Sequence, residues 1–184
     1  MDARDTEIAI SLWKEKAAQF GSPPPIGAVS PVDPTVDPFR FLIVADLYTR
    51  PARDALVFLD YGVGLARLFG LPKRPPMWRP MIECLPSRYR SLFLDGCKEA
   101  ISKAAPVRFS GEMAVAGGSE FYRACFMPLK MKVDRMQALY GSFSFRLYTA
   151  AELAERSQLA AAEDSPLFPA PPMSAADKLV GSKA

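Results

Sequence analysis

The chain of 184 residues contains no histidine. Imidazole is the commonest metal ligand among side chains and the only one with an unperturbed pKa between 5 and 8. Its absence excludes histidine-ligated haem, most other metal centres, a phosphoacceptor histidine and an imidazole general base. A pH switch in that range would need a cysteine or a carboxylate with a shifted pKa.

Cysteine is also scarce, with only Cys84, Cys97 and Cys125 in the chain. Their number is odd and none falls in a Cys-x-x-Cys spacing, which favours a reducing, intracellular compartment. The opening residues, MDARDTEIAI, lack the basic, apolar and small-residue order of a signal peptide. No apolar run approaches the roughly 20 residues that span a bilayer. We therefore expect a soluble, cytoplasmic protein with no membrane partner.

Charge of one sign is not concentrated anywhere in the sequence. Lysine and arginine number 23 against 20 acidic residues, a net charge of +3, and no basic run stands out. Nucleic-acid binding without sequence preference uses a concentrated basic stripe, so a nucleic-acid partner is not expected. The phosphate-binding loops G-x-x-x-x-G-K-S/T and G-x-G-x-x-G are absent. With 49% hydrophobic residues, the chain can still build one ordinary core.

Three segments are predicted along the chain. Residues 1–38 hold an amphipathic helix over 7–20, which Asp5 or Thr6 could cap, followed by a proline-rich linker. Residues 39–148 form the compact domain. Residues 149–184 begin with a helix capped by Thr149 and Glu152 and continue as a proline- and alanine-rich tail that we expect to be disordered.

Within the compact domain the pattern predicts an α+β fold, an antiparallel sheet with helices on one face. Apolar runs at 39–48 and 54–62 read as two strands, followed by a short helix over 62–70. A longer helix starts at Ser87, its expected N-cap. Three strands then follow at 107–115, 121–131 and 136–148.

The last three strands can be paired from their turns. A two-residue turn at Gly117-Gly118 would place Met113 opposite Tyr122 and Glu112 opposite Arg123. A turn at Val133-Asp134 would place Phe126 opposite Gly141, Ala124 opposite Phe143 and Tyr122 opposite Phe145. Both assumptions agree on which residues share a face, and they give one apolar face and one mixed face.

These elements carry phrases that resemble a PAS domain: FLDYGVGLARLFGLP, FYRACFMPL and YGSFSFR. The chain is similar in particular to single-domain PAS proteins common in alphaproteobacteria, through residues 58–70, Asp33-Pro34, Pro128-Leu129 and Gly141. It departs from their phrase at Leu59 or Asp60, where arginine is usual, and at Val63, where threonine is usual. The resemblance implies a PAS fold and a bacterial signal-transduction protein that senses or binds other proteins, generally as a homodimer and without catalysis.

A PAS fold implies a cavity between the sheet and the helices. Its expected lining is Trp78, Phe93, Phe109, Met113, Tyr122, Phe126, Phe143 and Phe145. The cavity would take an apolar or aromatic small molecule, unless these side chains simply fill the core. Gly111 and Gly141 face inward and leave room either for a ligand or for the bulk of a neighbour.

The sequence does not identify a cofactor. Histidine-ligated haem is excluded, and cysteine-ligated haem is not expected, because Cys97 is the only cysteine that the pattern places near the cavity. Flavin photosensors of the LOV type carry an Asn-Cys-Arg-Phe-Leu phrase before the long helix. The corresponding text here is IECLPSRYRSLF, in which Cys84 lacks that context, so a covalent flavin photocycle is not expected.

The outer face of the sheet mixes apolar side chains with arginines, which suggests that something covers it. The candidate surface for a dimer or a partner consists of Leu12, Trp13, Phe20, Arg108, Arg123, Met127, Tyr140 and Arg146. The N-terminal helix could cover this face through Leu12, Trp13 and Phe20, either in its own chain or across a dimer. The arginines could alternatively bind an anion, although surface arginines are commonly only solvated or paired.

The leading interpretation is a non-catalytic PAS sensor or interaction module. It would regulate a separate, unidentified signalling protein through dimer packing, either constitutive or dependent on a ligand. A ligand-free interaction scaffold is the first alternative. The second is a small cyclase- or isomerase-like enzyme, which would need an acid–base pair in the pocket. Asp60 and Glu83 are the only carboxylates that the pattern could place there.

Overall fold

The computed structural model describes residues 4–29, 38–46, 56–76, 79–132 and 136–163. The helices and strands follow one another as α1 (Arg4–Phe20), β1 (Arg40–Asp46), β2 (Leu56–Tyr61), α2 (Val63–Phe69), α3 (Met81–Cys84), α4 (Ser87–Lys103), β3 (Val107–Val115), β4 (Gly118–Lys130), β5 (Met136–Thr149) and α5 (Ala150–Glu163). Trp78, the Val133-Asp134 turn, residues 30–37 of the linker and the tail from residue 164 lie outside the described residues.

The strands form one antiparallel sheet in the order β2-β1-β5-β4-β3. The predicted α+β class is confirmed, and the succession of two strands, three helices and three strands is consistent with the PAS fold. Three of its four pairings join consecutive strands, and the fourth, between β1 and β5, connects the first two strands to the last three. Helices lie on both of its faces, because α1 packs against β4 and β5 from the side opposite α4.

Two predicted helix caps are wrong and one is confirmed. Helix α1 already begins at Arg4, so Asp5 and Thr6 are helical residues rather than caps. In α4 the N-cap is Pro86, whose extended backbone lets the helix start at Ser87 itself. The capping box of α5 is present: the Glu152 amide donates to Thr149 Oγ1 at 3.2 Å, and the Thr149 amide donates to Glu152 Oε2 at 2.7 Å.

Pairing between β4 and β5 is as predicted, with Phe126 opposite Gly141. Pairing between β3 and β4 differs by two residues, because the turn lies at Ala116-Gly117, where Gly117 takes a φ of +81°. Glu112 therefore opposes Phe121 rather than Arg123, and the predicted Glu112–Arg123 pair is wrong. Since side chains alternate with a period of two, a shift of two residues leaves each one on its predicted face.

The two faces of the sheet carry separate cores. The inner core lies between the sheet and helices α2 to α4, and it contains the buried aromatic residues of the domain. The smaller outer core lies between the sheet and α1. Its buried residues are Ala9, Ile10, Trp13, Val29, Leu42, Cys125, Met127, Leu129, Ala138 and Tyr140.

Candidate functional site

The inner face of the sheet is packed around Phe93, which has no exposed surface. Its ring centroid lies 5.1 Å from that of Phe41 and 5.4 Å from that of Phe126, distances typical of direct aromatic contact. Further rings surround it: Phe58, Phe69 and Phe143. Around Phe93, side chains of the protein itself therefore occupy the space between sheet and helices.

Glycines allow these rings to approach the backbone. A Cβ on Gly141 would lie 2.1 Å from Phe41 Cζ, and a Cβ on Gly96 would lie 2.2 Å from Phe126 Cε2. A Cβ on Gly111 would meet the Tyr122 hydroxyl oxygen at 2.6 Å. The room that inward glycines leave is thus taken by neighbouring aromatic side chains at both predicted positions.

The residues predicted to line a cavity divide into a buried and a peripheral group. Phe93, Phe126 and Phe143 are fully buried among other rings. The half-buried members, at the margin of the same core, are Phe109, Met113, Tyr122 and Phe145. The proposed role of these residues in holding a ligand stays a prediction.

A buried carboxylate lies at the edge of the inner core. Glu120 is 1% exposed, and its Oε1 accepts a hydrogen bond from the Tyr89 hydroxyl at 2.5 Å, while an Arg88 guanidinium nitrogen lies 3.9 Å from Oε2. Burial, reinforced by the bond to Glu120, raises the pKa of Tyr89 to about 12. Glu120 was not among the predicted site residues, because the predicted strand begins at Phe121 and the observed β4 begins at Gly118. Extending the alternation by one residue would have placed Glu120 on the inner face.

The two carboxylates considered for catalysis make local contacts instead. Asp60 accepts a hydrogen bond from the Tyr61 amide at 2.8 Å. Glu83 is exposed, and its Oε2 lies 3.4 Å from Nε of Arg79, four residues earlier in the chain. Neither belongs to the aromatic core around Phe93.

The cysteines offer no exposed reactive site in that core. Burial raises the pKa of the Cys97 thiol well above its usual range and that of Cys125 to about 11. Cys125 lies in the outer core and Cys84 is half-buried. Among the described residues, no group of three or more cysteine, aspartate or glutamate side chains is arranged to hold a metal ion.

Helix α1 covers one half of the outer face in its own chain. The Trp13 indole Nε1 donates to the Pro128 carbonyl at 2.7 Å, and Glu7 is paired with Arg108 at 2.8 Å. Trp13 thus lies on the sheet of its own chain, and Leu12 is half-buried. Phe20 does not lie on the sheet, since it is the last residue of α1 and is 54% exposed.

The predicted dimer or partner surface is therefore divided. Met127 and Tyr140 are buried beneath α1, where Arg40 is hydrogen-bonded to the Tyr140 hydroxyl and stacks over its ring. Arg123 and Arg146 lie outside the area that α1 covers, on the other half of the face. The role of these residues in contacting a partner stays a prediction.

The open half of the outer face forms a groove of about 560 Å³, which we call the arginine groove. It lies on the exposed parts of β3, β4 and β5 and is bounded on one side by α5. Its charged residues are three arginines, Arg123, Arg146 and Arg156, and one glutamate, Glu112. Phe121 and Tyr148 supply aromatic surface, and their rings meet edge to face with centroids 5.2 Å apart.

Comparisons with known proteins find a distant likeness at the level of structure. No family model matches the chain, and no curated protein is similar to it in sequence. The PAS domain of BvgS from Bordetella pertussis matches with 12% identity and a TM-score of 0.40, over 67% of this chain and 88% of that domain. The two structures superpose only loosely, so the interpretation below depends on the geometry of this chain. No helix in the described ranges is long and apolar enough to cross a membrane.

Proposed function

We propose that this protein is a non-catalytic interaction module of the PAS type, which regulates a separate partner protein through constitutive packing of its outer face and α1. The observation that carries the proposal is the contrast between the two faces. The inner face is filled by rings around Phe93, while the outer face carries an added helix whose far side remains exposed.

The filled inner core favours constitutive packing over a ligand-dependent switch. An apolar ligand between sheet and helices would have to displace rings such as Phe41 or Phe126, which close the spaces over Gly141 and Gly96. Displacing packed side chains costs dispersion contacts that the ligand would have to replace. A sensor that binds a ligand at this position is the alternative form of the same module.

The solvent side of α1 is the surface that we propose for a second copy of the chain. Ile8 is 57% exposed, and Leu12, half-buried, follows one helical turn later on the same side. Two copies meeting through this strip would bury it by a two-fold contact, in which each helix covers the equivalent residues of the other. A homodimer built in this way leaves the inner core unchanged.

Native mass spectrometry of the freshly purified chain, compared with its denatured mass, tests both parts of the proposal. We expect a dimer whose mass is twice that of the bare chain. A dimer that carries an additional small-molecule mass would contradict the constitutive form and favour the ligand-dependent sensor. A monomer at every concentration would contradict the dimer.

A pair of matched variants tests the proposed contact. Ile8→Ser removes an exposed apolar side chain from α1, and Leu59→Ser removes one of similar exposure, 52%, from β2. Sedimentation velocity over a range of concentrations should show weaker dimerisation for Ile8→Ser and no change for Leu59→Ser. Equal behaviour of the two variants would place the contact elsewhere.

A further inference from the structure

Positive charge exceeds negative charge among the described residues that line the arginine groove. Arg123, Arg146 and Arg156 line it together with the single carboxylate Glu112. In the described part of the chain, no carboxylate lies within 4.0 Å of a guanidinium nitrogen of any of these arginines. This sets the groove apart from the neighbouring Arg108, which is paired with Glu7 at 2.8 Å.

Two of these arginines contact the ring of one tyrosine. The guanidinium carbons of Arg146 and Arg156 each lie 4.7 Å from the centroid of the Tyr148 ring. Arg156 also donates to the Tyr148 hydroxyl at 2.5 Å, which fixes its position on α5 relative to β5. The ring attracts both cations, and it carries no charge that would neutralise either of them.

The third arginine stands among hydroxyl groups. Arg123 lies on β4 directly between Ser110 on β3 and Ser144 on β5. This row of side chains adjoins the row formed by Glu112, Phe121 and Arg146. Guanidinium and hydroxyl donors on adjacent strands are suited to the several acceptor oxygens of a phosphate or a carboxylate.

Two carboxylates limit this positive charge, and neither removes it. Glu112 lines the groove but is opposite Phe121 rather than an arginine. Glu152 is close enough to Arg146 for the arginine to contribute to the lowering of its pKa, yet its Oε2 already accepts hydrogen bonds from the amide and hydroxyl of Thr149. The guanidinium N–H groups of the groove that these two carboxylates do not engage are therefore available to a ligand.

We propose that the arginine groove binds a small organic anion, in which a phosphate or carboxylate group adjoins an aromatic or apolar part. The anionic group would be bound by Arg123 and Arg146, and the apolar part would contact Phe121, which is 38% exposed. A volume of about 560 Å³ falls within the range of small-molecule sites. This site lies beside α1 and not on the solvent side of that helix, so it does not depend on the dimer proposed above.

Phenyl phosphate is a suitable probe because it joins the two chemical features in one small molecule. The full-length chain, labelled with nitrogen-15, is titrated with phenyl phosphate, benzoate, inorganic phosphate and phenol at constant ionic strength. We expect saturable shifts of the Arg123 and Arg146 side-chain Nε–Hε signals with phenyl phosphate or benzoate, weaker shifts with inorganic phosphate and none with phenol. The comparison of phenyl phosphate with benzoate identifies the preferred anionic group.

Variants separate binding from folding. Arg123→Gln and Arg146→Gln should each weaken binding by about tenfold or more, the loss expected for one charge-assisted contact. Arg123→Lys keeps the positive charge but loses the planar guanidinium, so its affinity should lie between those of the parent chain and Arg123→Gln. Arg67→Gln, on the exposed side of α2, is the matched control and should bind as the parent does.

Two results would overturn the proposal. One is a set of shifts spread equally over all arginines, which would mean that anions bind without a site. The other is equal affinity of Arg123→Gln, Arg146→Gln and Arg67→Gln in chains whose amide spectra show an intact fold. Either result would leave the proposed dimer untouched, because its test uses α1.

Discussion

Replacement of Trp13 by alanine should loosen α1 from the sheet more than any other single truncation in that helix. Trp13 is 5% exposed and packs with Met127 and Tyr140 in the outer core. Truncation of a buried tryptophan costs about 3–5 kcal/mol in free energy of unfolding, through lost apolar contact and the cavity left behind. In a chain of this size that corresponds to a decrease in melting temperature of about 6–20 °C.

The indole hydrogen bond can be tested separately with Trp13→Phe. Phenylalanine retains an aromatic ring but cannot donate to the Pro128 carbonyl, which Trp13 Nε1 reaches at 2.7 Å. The loss of a buried donor with its acceptor left in place costs about 1–3 kcal/mol. The variant should therefore be intermediate between the parent chain and Trp13→Ala.

Urea denaturation followed by far-ultraviolet circular dichroism measures these differences. Phe20→Ala is the matched control, because it truncates an aromatic residue of the same helix that is 54% exposed. Its effect should stay within about 0.5 kcal/mol, as for most surface substitutions. If Trp13→Ala proves as stable as Phe20→Ala, the packing of α1 on its own sheet is refuted.

Further substitutions test the inner core. Gly141→Ala should destabilise the fold by about 1–3 kcal/mol, because its Cβ would overlap the Phe41 ring, whereas Gly27→Ala has no neighbour within 4 Å and should be close to neutral in urea denaturation. Tyr89→Phe should cost about 1–3 kcal/mol by leaving Glu120 without its buried donor, and a parallel Glu120→Gln variant that retains an acceptor should cost less. Tyr89 also predicts a pH dependence. Its pKa is raised from 10.0 to about 12, so the folded state holds this proton more tightly than the unfolded chain does. This contribution is complete below pH 10 and is lost as the pH rises towards 12, so Tyr89→Phe should show a shallower alkaline fall in stability than the parent, and an equal fall would contradict the assignment.

The alternation of apolar side chains was enough to predict the sheet and its two faces. Phe126 and Gly141 were paired correctly, and Phe109 and Tyr122 were assigned to the right face even though their turn was misplaced. A period of two makes the face insensitive to a shift of two residues. The direct partner of a residue, unlike its face, depends on where the turn lies. The misplaced turn therefore put Glu112 opposite Arg123, whereas its partner is Phe121.

The sequence by itself thus determined the class of the fold, the faces of its strands and the capping box of α5, because these depend on local spacing. Only the tertiary structure decided that Phe41 and Phe126 fill the space over the inner glycines, and that Glu120 meets Tyr89. It also decided how the outer face is divided, with one half beneath α1 and the arginine groove beside it. These arrangements join residues far apart in the chain, and local periodicity carries no information about such distances.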